Sequence, residues 1–435
     1  MKLAIDARIA ELTPDQLALL IERTPTDEGH LQQTVRRVLS RVRSEGDAAL
    51  FALAEELDGV TLKSLEIPRE RWKAALNALD RRERAGWERA ARNILAFHSA
   101  QIPPEVMLEI EPGVRLGRRA VPLQRVGVYA PGGRAAYPSS VLMGVVPARA
   151  VGVPEIIVCS PPGPNGEPPE AVLAACELAG ATRLFALGGA GAVAAMAYGT
   201  GTVPRVDSVV GPGSVWVTEA KRQVAGDLRI DAPAGPSEVV VVADDSAEPA
   251  RVAAELIAQA EHDPEASVAV IAWQPEVLEA VQSELGIQIQ AAPRRAIIEA
   301  ALASRGACLL AESREEALGF AQRYAAEHLA LYTDDPRGDL ESQTRAGTVF
   351  LGDCSSVAFG DYLTGANHVL PTAGRAGSFS GLSVLEFLRF YTWQDLTPDG
   401  AASMASDVRR LALSEGLPAH AAAATARSDV MGGSS

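Results

Sequence analysis

The sequence predicts an α/β protein made of two doubly wound, Rossmann-like domains with largely parallel sheets, plus helical N-terminal and C-terminal segments. From about Arg125 onward, short β-branched runs alternate with longer helical stretches, as in βαβ units whose strands are covered on both faces. Nine such runs are many for one sheet in a stretch of this length, so they are divided near Gly235-Pro236-Ser237. Before Arg125 the strand pattern is missing, and beyond Gly381 the chain turns helical again.

Taken in order, Leu31 to Asp58 and Arg69 to Ser99 carry apolar residues at helical spacing and define a helical N-terminal region, 1–120. Arg125–Ala130, Glu155–Cys159, Arg183–Leu187 and Asp207–Val210 are the strands expected in a first α/β domain, 121–236. Glu238–Ala243, Ser267–Ala272, Ala307–Ala311, Leu329–Tyr332 and Thr348–Leu351 belong to a second, 237–375. Ala401–Ser414 is the main helix of a small helical C-terminal region, 376–435. Pro161 to Pro169 is a loop by composition, and Gly432-Gly433-Ser434-Ser435 is expected to be disordered.

Composition narrows the function. A net charge of -15 over 435 residues argues against a nucleic-acid partner, which needs concentrated Lys and Arg. The chain has no apolar run of about 18 residues, so no membrane span is expected. Met1-Lys2-Leu3-Ala4-Ile5-Asp6 lacks the features of a secretory signal. Cys159, Cys176, Cys308 and Cys354 form no CxxC spacing, so neither a thiolate zinc site nor a disulfide framework is expected. A reducing cytoplasm fits this usage.

Six histidines occur, and three of them sit among carboxylates, amides and glycines: His262, His328 and His368. Gln259 and His262 lie three apart at a helix end and share one face, so an amide oxygen and an imidazole can meet one metal ion. From spacing alone an ordinary polar helix end is the favoured reading, since polar pairs three apart are common. Glu327 and His328 fall where a helix meets a strand, a junction where neighbours can face one cleft, although at the amino end of their strand rather than the carboxyl end where α/β crevices open. Asp361 and His368 lie in a turn-rich loop, Gly360 to Thr372, either as ligands and contacts or as local turn and carbonyl partners. Glu415-Gly416-Leu417-Pro418-Ala419-His420 stops one helix and opens another, and His420 alone reads as a surface histidine.

In order along the chain, these segments resemble the histidinol dehydrogenase family from about Arg23 to Arg427. The resemblance is carried by Val126-Gly127-Val128-Tyr129-Ala130-Pro131-Gly132-Gly133, Ala234-Gly235-Pro236-Ser237-Glu238-Val239, Gln259 to Asp263, Glu327-His328-Leu329, Gly360 to Thr372 and Glu415 to His420. It implies Zn2+ and NAD as cofactors. Gln259, His262, Asp361 and His420 match the zinc ligands, and Glu327 and His328 the acid–base pair. Ser237, His368 and Glu415 match substrate contacts, together with Gln259, His262, His328, Asp361 and His420; Tyr129 matches an NAD contact. His420 and Glu415 are implied to reach the other subunit's site, so a homodimer with composite sites is implied.

Two positions depart from the family pattern. Gly191 stands where a Gln is usual, and Ser214 where an Asn is usual; both usual side chains contact NAD. Each lost hydrogen bond is worth about 0.5–1.5 kcal/mol, so weaker or differently posed NAD is expected. Gly189-Ala190-Gly191-Ala192-Val193-Ala194 also imitates a dinucleotide fingerprint, with Asp207 downstream. Close packing of a small-residue helix is the preferred account, because the family lacks the fingerprint there.

The implied chemistry suits these residues. Oxidising a primary alcohol to a carboxylate removes four electrons, which calls for two NAD. Histidinol offers imidazole and amine nitrogens to zinc, and a ligand set with a neutral Gln and no thiolate suits a site with open positions. The competing readings are a paralogous dehydrogenase of another small amino alcohol or diol, a non-catalytic zinc-dependent binding protein, and a metal hydrolase using Glu327 to activate water.

Overall fold

The computed structural model describes residues 2–23, 28–132 and 136–427. The chain divides into two compact units, Met1–Gln101 with Leu123–Phe387, and Ile102–Pro122 with Leu388–Ser435. The quoted Gly133 and the terminal Gly432 to Ser435 lie outside the described residues.

The first hundred residues are mainly helix, as the periodicity predicts, in Pro14–Ile21, Glu28–Glu45, Asp47–Leu53, Arg69–Ala78 and Arg81–Ser99. Thr13 and Gln16 close a reciprocal capping box on the first, and Asp80 caps the last. The expected all-helical region 1–120 also holds strands, and this corrects that expectation. β1 (Ile5–Arg8) is a short parallel edge strand. β2 (Val106–Glu111) and β3 (Val114–Pro122) form part of the second unit. Four residues are too few to show a period; β2 is exposed throughout, and β3 is interrupted by charges and a glycine, so no apolar run announces them.

β4 (Arg125–Tyr129), β5 (Glu155–Ser160), β6 (Arg183–Ala186), β7 (Ser208–Val210) and β8 (Arg229–Ile230) make a parallel sheet in the order β6-β5-β4-β7-β8. The order reverses between β4 and β7, which leaves a crevice position outside their carboxyl ends. The free edge of β6 is met by the segment Leu65 to Ile67, whose Ile67 N–H bonds to the Leu184 carbonyl at 2.9 Å. Helix Gly189–Tyr198 is buried nearly all round, so its glycines and alanines serve close packing. A Cβ on Gly191 would stand 3.3 Å from Leu53, which accounts for the fingerprint-like run without a nucleotide.

β9 (Glu238–Ala243), β10 (Ser267–Ala272), β11 (Gly306–Leu310), β12 (His328–Tyr332) and β13 (Thr348–Leu351) make the larger sheet with β1, in the order β1-β11-β10-β9-β12-β13 and parallel throughout. Alternate residues of β9 enter different apolar clusters, Val239 and Val241 on one face and Val240 and Val242 on the other. A strand buried on both faces therefore reads as a continuous Val run. The reversal here lies between β9 and β12, but its carboxyl end is closed by polar groups bonded to one another. Asp334 N–H donates to Asp244, and Arg314 and Thr333 donate to Asp339; Asp244, Thr333 and Asp339 are buried, while Asp334 is exposed.

β14 (Leu388–Leu396) pairs antiparallel with β3, and the second unit is the sheet β14-β3-β2 with helices Pro398–Ser414 and Pro418–Thr425. The expected helical region 376–435 is corrected accordingly. Trp393 of β14 lies across Gly117 of β3, where any Cβ would collide with the indole. Among the described residues, no helix is long and apolar enough to cross a membrane.

Candidate functional site

Topology gathers the singled-out residues at one edge. In a parallel sheet each connecting helix runs back, so its carboxyl end lies beside the amino ends of the strands. Ser237 immediately precedes β9, Glu327 precedes β12 and His328 opens it. Gln259 lies in the last turn of helix Pro249–Ala260, and His262 follows it. Asp361 lies in the last turn of helix Val357–Tyr362, after β13. The amino edge of the larger sheet thus carries the cluster, because its carboxyl edge is filled by its own polar network.

Glu327 and His328 are both held by the backbone of Glu238. The Glu238 N–H donates to the Glu327 carboxylate at 2.8 Å, and the Glu238 carbonyl accepts from His328 Nδ1 at 2.9 Å. With Nδ1 so engaged, Nε2 is the other ring nitrogen of His328; among the described residues it is buried without a hydrogen-bond partner, and it lies 3.7 Å from an Asp361 oxygen. Burial works to lower the His328 pKa, but Glu327 and Asp361 outweigh it and hold the imidazole well above its ordinary value. Burial likewise works to raise the Asp361 carboxyl, and His328, His368 and His262 around it bring it below its ordinary value. His368 Nδ1 donates to the Asp361 carbonyl at 2.9 Å, and burial lowers the pKa of its ring.

Behind this pair stands a second buried set. Arg23, with φ at 43°, places its guanidinium 3.3 Å from the Glu238 carboxylate and 3.8 Å over the Tyr324 ring. Burial pushes the Glu238 carboxyl up to about 7 even though Arg23 pulls it down. Neither residue was singled out as a site residue from the sequence. Glu238 stands inside a quoted segment, and Arg23 offered no sequence signal, because its role depends on a left-handed backbone turn and a partner more than 200 positions away.

Among the described residues, no group of three or more His, Cys, Asp or Glu side chains is arranged to hold a metal ion. Gln259 is an amide, and His420 belongs to the second unit, where it and Glu415 are exposed. The donors in the first unit nevertheless fit a divalent cation. Gln259 is buried and its carboxamide has no hydrogen-bond partner among the described residues, while His262 and His368 surround the Asp361 carboxylate. An amide oxygen, imidazole nitrogen and carboxylate together suit zinc or a similar ion.

Tyr129 lies apart from this cluster in the sheet plan, at the carboxyl end of β4 and beside the strand-order reversal. Its phenol is buried, is pushed up to about 12 by that burial, and accepts the Gly189 N–H at 3.1 Å. Ser214 is exposed at the start of helix Val215–Val224, after β7, at the same edge.

Fold and site define an α/β enzyme with a cluster of buried His, Asp and Glu side chains at the amino edge of one parallel sheet and a strand-order reversal at the carboxyl edge of another. The histidinol dehydrogenase family model matches residues 21–428, and the chain belongs to that family. The histidinol dehydrogenase of Natronomonas pharaonis is 47% identical over 97% of this chain and 99% of its own. That of Methanosarcina barkeri is 42% identical over 98% of each. A crystal structure of histidinol dehydrogenase from Elizabethkingia anophelis matches at TM-score 0.94 and 32% identity, covering 99% of both chains. The paralogue, binding-protein and hydrolase readings gain nothing from these matches.

Proposed function

We propose that this chain oxidises L-histidinol through L-histidinal to L-histidine, with two NAD consumed per substrate. The observation that carries the reading is the Glu327–His328 pair locked to the two backbone groups of Glu238, with His328 Nε2 left free beside Asp361. Once the imidazole has given up its own proton, His328 Nε2 takes the alcohol proton as the first hydride leaves carbon. Glu327 removes a proton from the water that adds to the aldehyde, and His328 acts again when the hydrate loses its hydride. NAD supplies the hydride acceptor in each round. Ser237 and His368 border the same edge and are assigned to substrate contact.

Gln259, His262 and Asp361, with His420 of the second unit supplied by a partner copy, would hold zinc. Zinc there would chelate and orient the amine and imidazole of the substrate and draw on the charge of Asp361. Glu415 would join His420 in that partner's contribution. A homodimer is supported by β2, whose Val106, Met107, Leu108 and Ile110 are all more than half or about half exposed. Residues 121–236 are assigned to NAD, 237–375 to metal and acid–base chemistry, and 376–435 to the partner's site. The reading places the enzyme in the cytoplasm.

The test is NAD reduction by the purified protein with L-histidinol, before and after chelation. Two NADH per histidinol, lost on chelation and restored by zinc, is the expected result. One NADH per substrate, or turnover indifferent to chelation, would overturn it.

A further inference from the structure

Lys221 and Asp231 are fully buried, at 1% and 5% exposure, and form an ion pair that no role so far assigned uses. Removing two charges from water is costly, so a pair retained in the core calls for an account of what it holds. What it holds is the backbone of a single residue, through the peptide groups on either side of its Cα. Lys221 Nζ donates to the Gly211 carbonyl at 2.9 Å, and the Gly211 N–H donates to Asp231 Oδ2 at 2.7 Å. Both polar groups of one residue are therefore gripped from the two ends of one ion pair.

Gly211 is the residue directly after β7, at the reversal point of the smaller sheet. Its φ is +115°, a conformation L side chains rarely adopt, and a Cβ there would run into the Tyr129 carbonyl oxygen. The chain passes from this grip through Pro212 and Gly213 straight into the exposed first turn of helix Val215–Val224. Lys221 sits on that same helix, so the pair ties the helix, the turn before it and the end of β7 into one rigid piece.

Resting on the reading of this chain as an NAD enzyme, we propose that the Lys221–Asp231 pair is a positioning device for the cofactor loop. It fixes the two peptide groups flanking the Gly211 Cα so that the backbone of Gly211 to Ser214 presents a preformed surface to the anionic diphosphate of NAD. Neither side chain touches the cofactor.

The test compares wild type with Lys221→Met and with the double variant Lys221→Met/Asp231→Leu. The double variant exchanges the ion pair for apolar groups and so avoids the lone buried carboxylate of the single variant, although it also frees the Gly211 N–H and C=O; a thermal melt and circular dichroism identify the folded variant that is compared. NAD binding is measured by calorimetry in the absence of substrate, alongside KM for NAD, KM for histidinol and kcat. The expected result for the folded double variant is NAD affinity lowered about tenfold, with KM for NAD raised in step and KM for histidinol held within about twofold. A folded double variant that binds NAD as wild type does overturns the proposal. So does a loss that appears in kcat alone with KM for NAD unmoved, which is what a merely structural pair would give. Wild-type protein that binds NAD but yields no NADH from histidinol would refute the functional reading, not the loop device, and the calorimetry separates the two.

Discussion

The two parallel sheets share one strand order around their reversal points, yet the residues proposed to act lie at opposite edges. In the smaller sheet they lie at the carboxyl edge, where helices Gly189–Tyr198 and Val215–Val224 begin. In the larger sheet they lie at the amino edge, where helix Pro249–Ala260 ends. The edges differ in electrostatic sign. Helix amino ends carry partial positive charge and suit an anionic cofactor, whereas helix carboxyl ends carry partial negative charge and suit a cation. The smaller sheet offers backbone and a buried phenol there; the larger offers carboxylate, amide and imidazole. The carboxyl edge of the larger sheet, which has the topology of a ligand crevice, is sealed by the network of Arg314, Thr333 and Asp339.

This division of labour is best broken by perturbing one edge and reading both. The largest effect is expected from His328→Asn, which removes the free Nε2 base: kcat should fall about 10²- to 10⁴-fold while zinc content and NAD affinity stay at wild-type values. Zinc loss in this variant, read by metal analysis, would make His328 a ligand instead. Glu327→Gln should slow oxidation of supplied histidinal about a hundredfold and the alcohol step much less, as followed by single-turnover kinetics with each substrate. Equal slowing of both steps would assign Glu327 a structural role.

Metal affinity should respond only to the amino edge. His262→Ala and Gln259→Ala are expected to lose zinc on dialysis while binding NAD normally by calorimetry. Smaller effects belong to the other edge. Tyr129→Phe removes the acceptor of the Gly189 N–H and should cost about 0.5–1.5 kcal/mol, a several-fold rise in KM for NAD with zinc retention unchanged. Ser214→Asn should tighten NAD by a similar or smaller amount, because position 214 is exposed and can accept a longer amide. Gly191→Gln should not, because its side chain would meet Leu53.

The sequence made the larger part of the fold legible where burial imposes a pattern. Val239 to Val242, buried on both faces, can be read as strand at sight, and β9, β10 and β13 fall within the expected limits. β2, β3 and β14 escaped because β2 is exposed throughout, Gly117 interrupts β3, and β3's partner strand β14 comes more than 250 residues later. The site residues were legible only as a constellation. Gln259, His262, Glu327, His328 and Asp361 each read equally well as ordinary polar residues, and the resemblance, not spacing, joined them. Glu238, Arg23, Lys221 and Asp231 act through backbone groups or other side chains, so their roles exist only in three dimensions.

Anomalous diffraction at the zinc edge from crystals grown with NAD tests the opposition of the two edges most directly. The expected map places the metal among Gln259, His262 and Asp361, and the cofactor diphosphate against the turn after β7. Zinc seated instead near Asp244 and Asp339 at the other end of the same sheet, or a diphosphate away from Gly211, would contradict it.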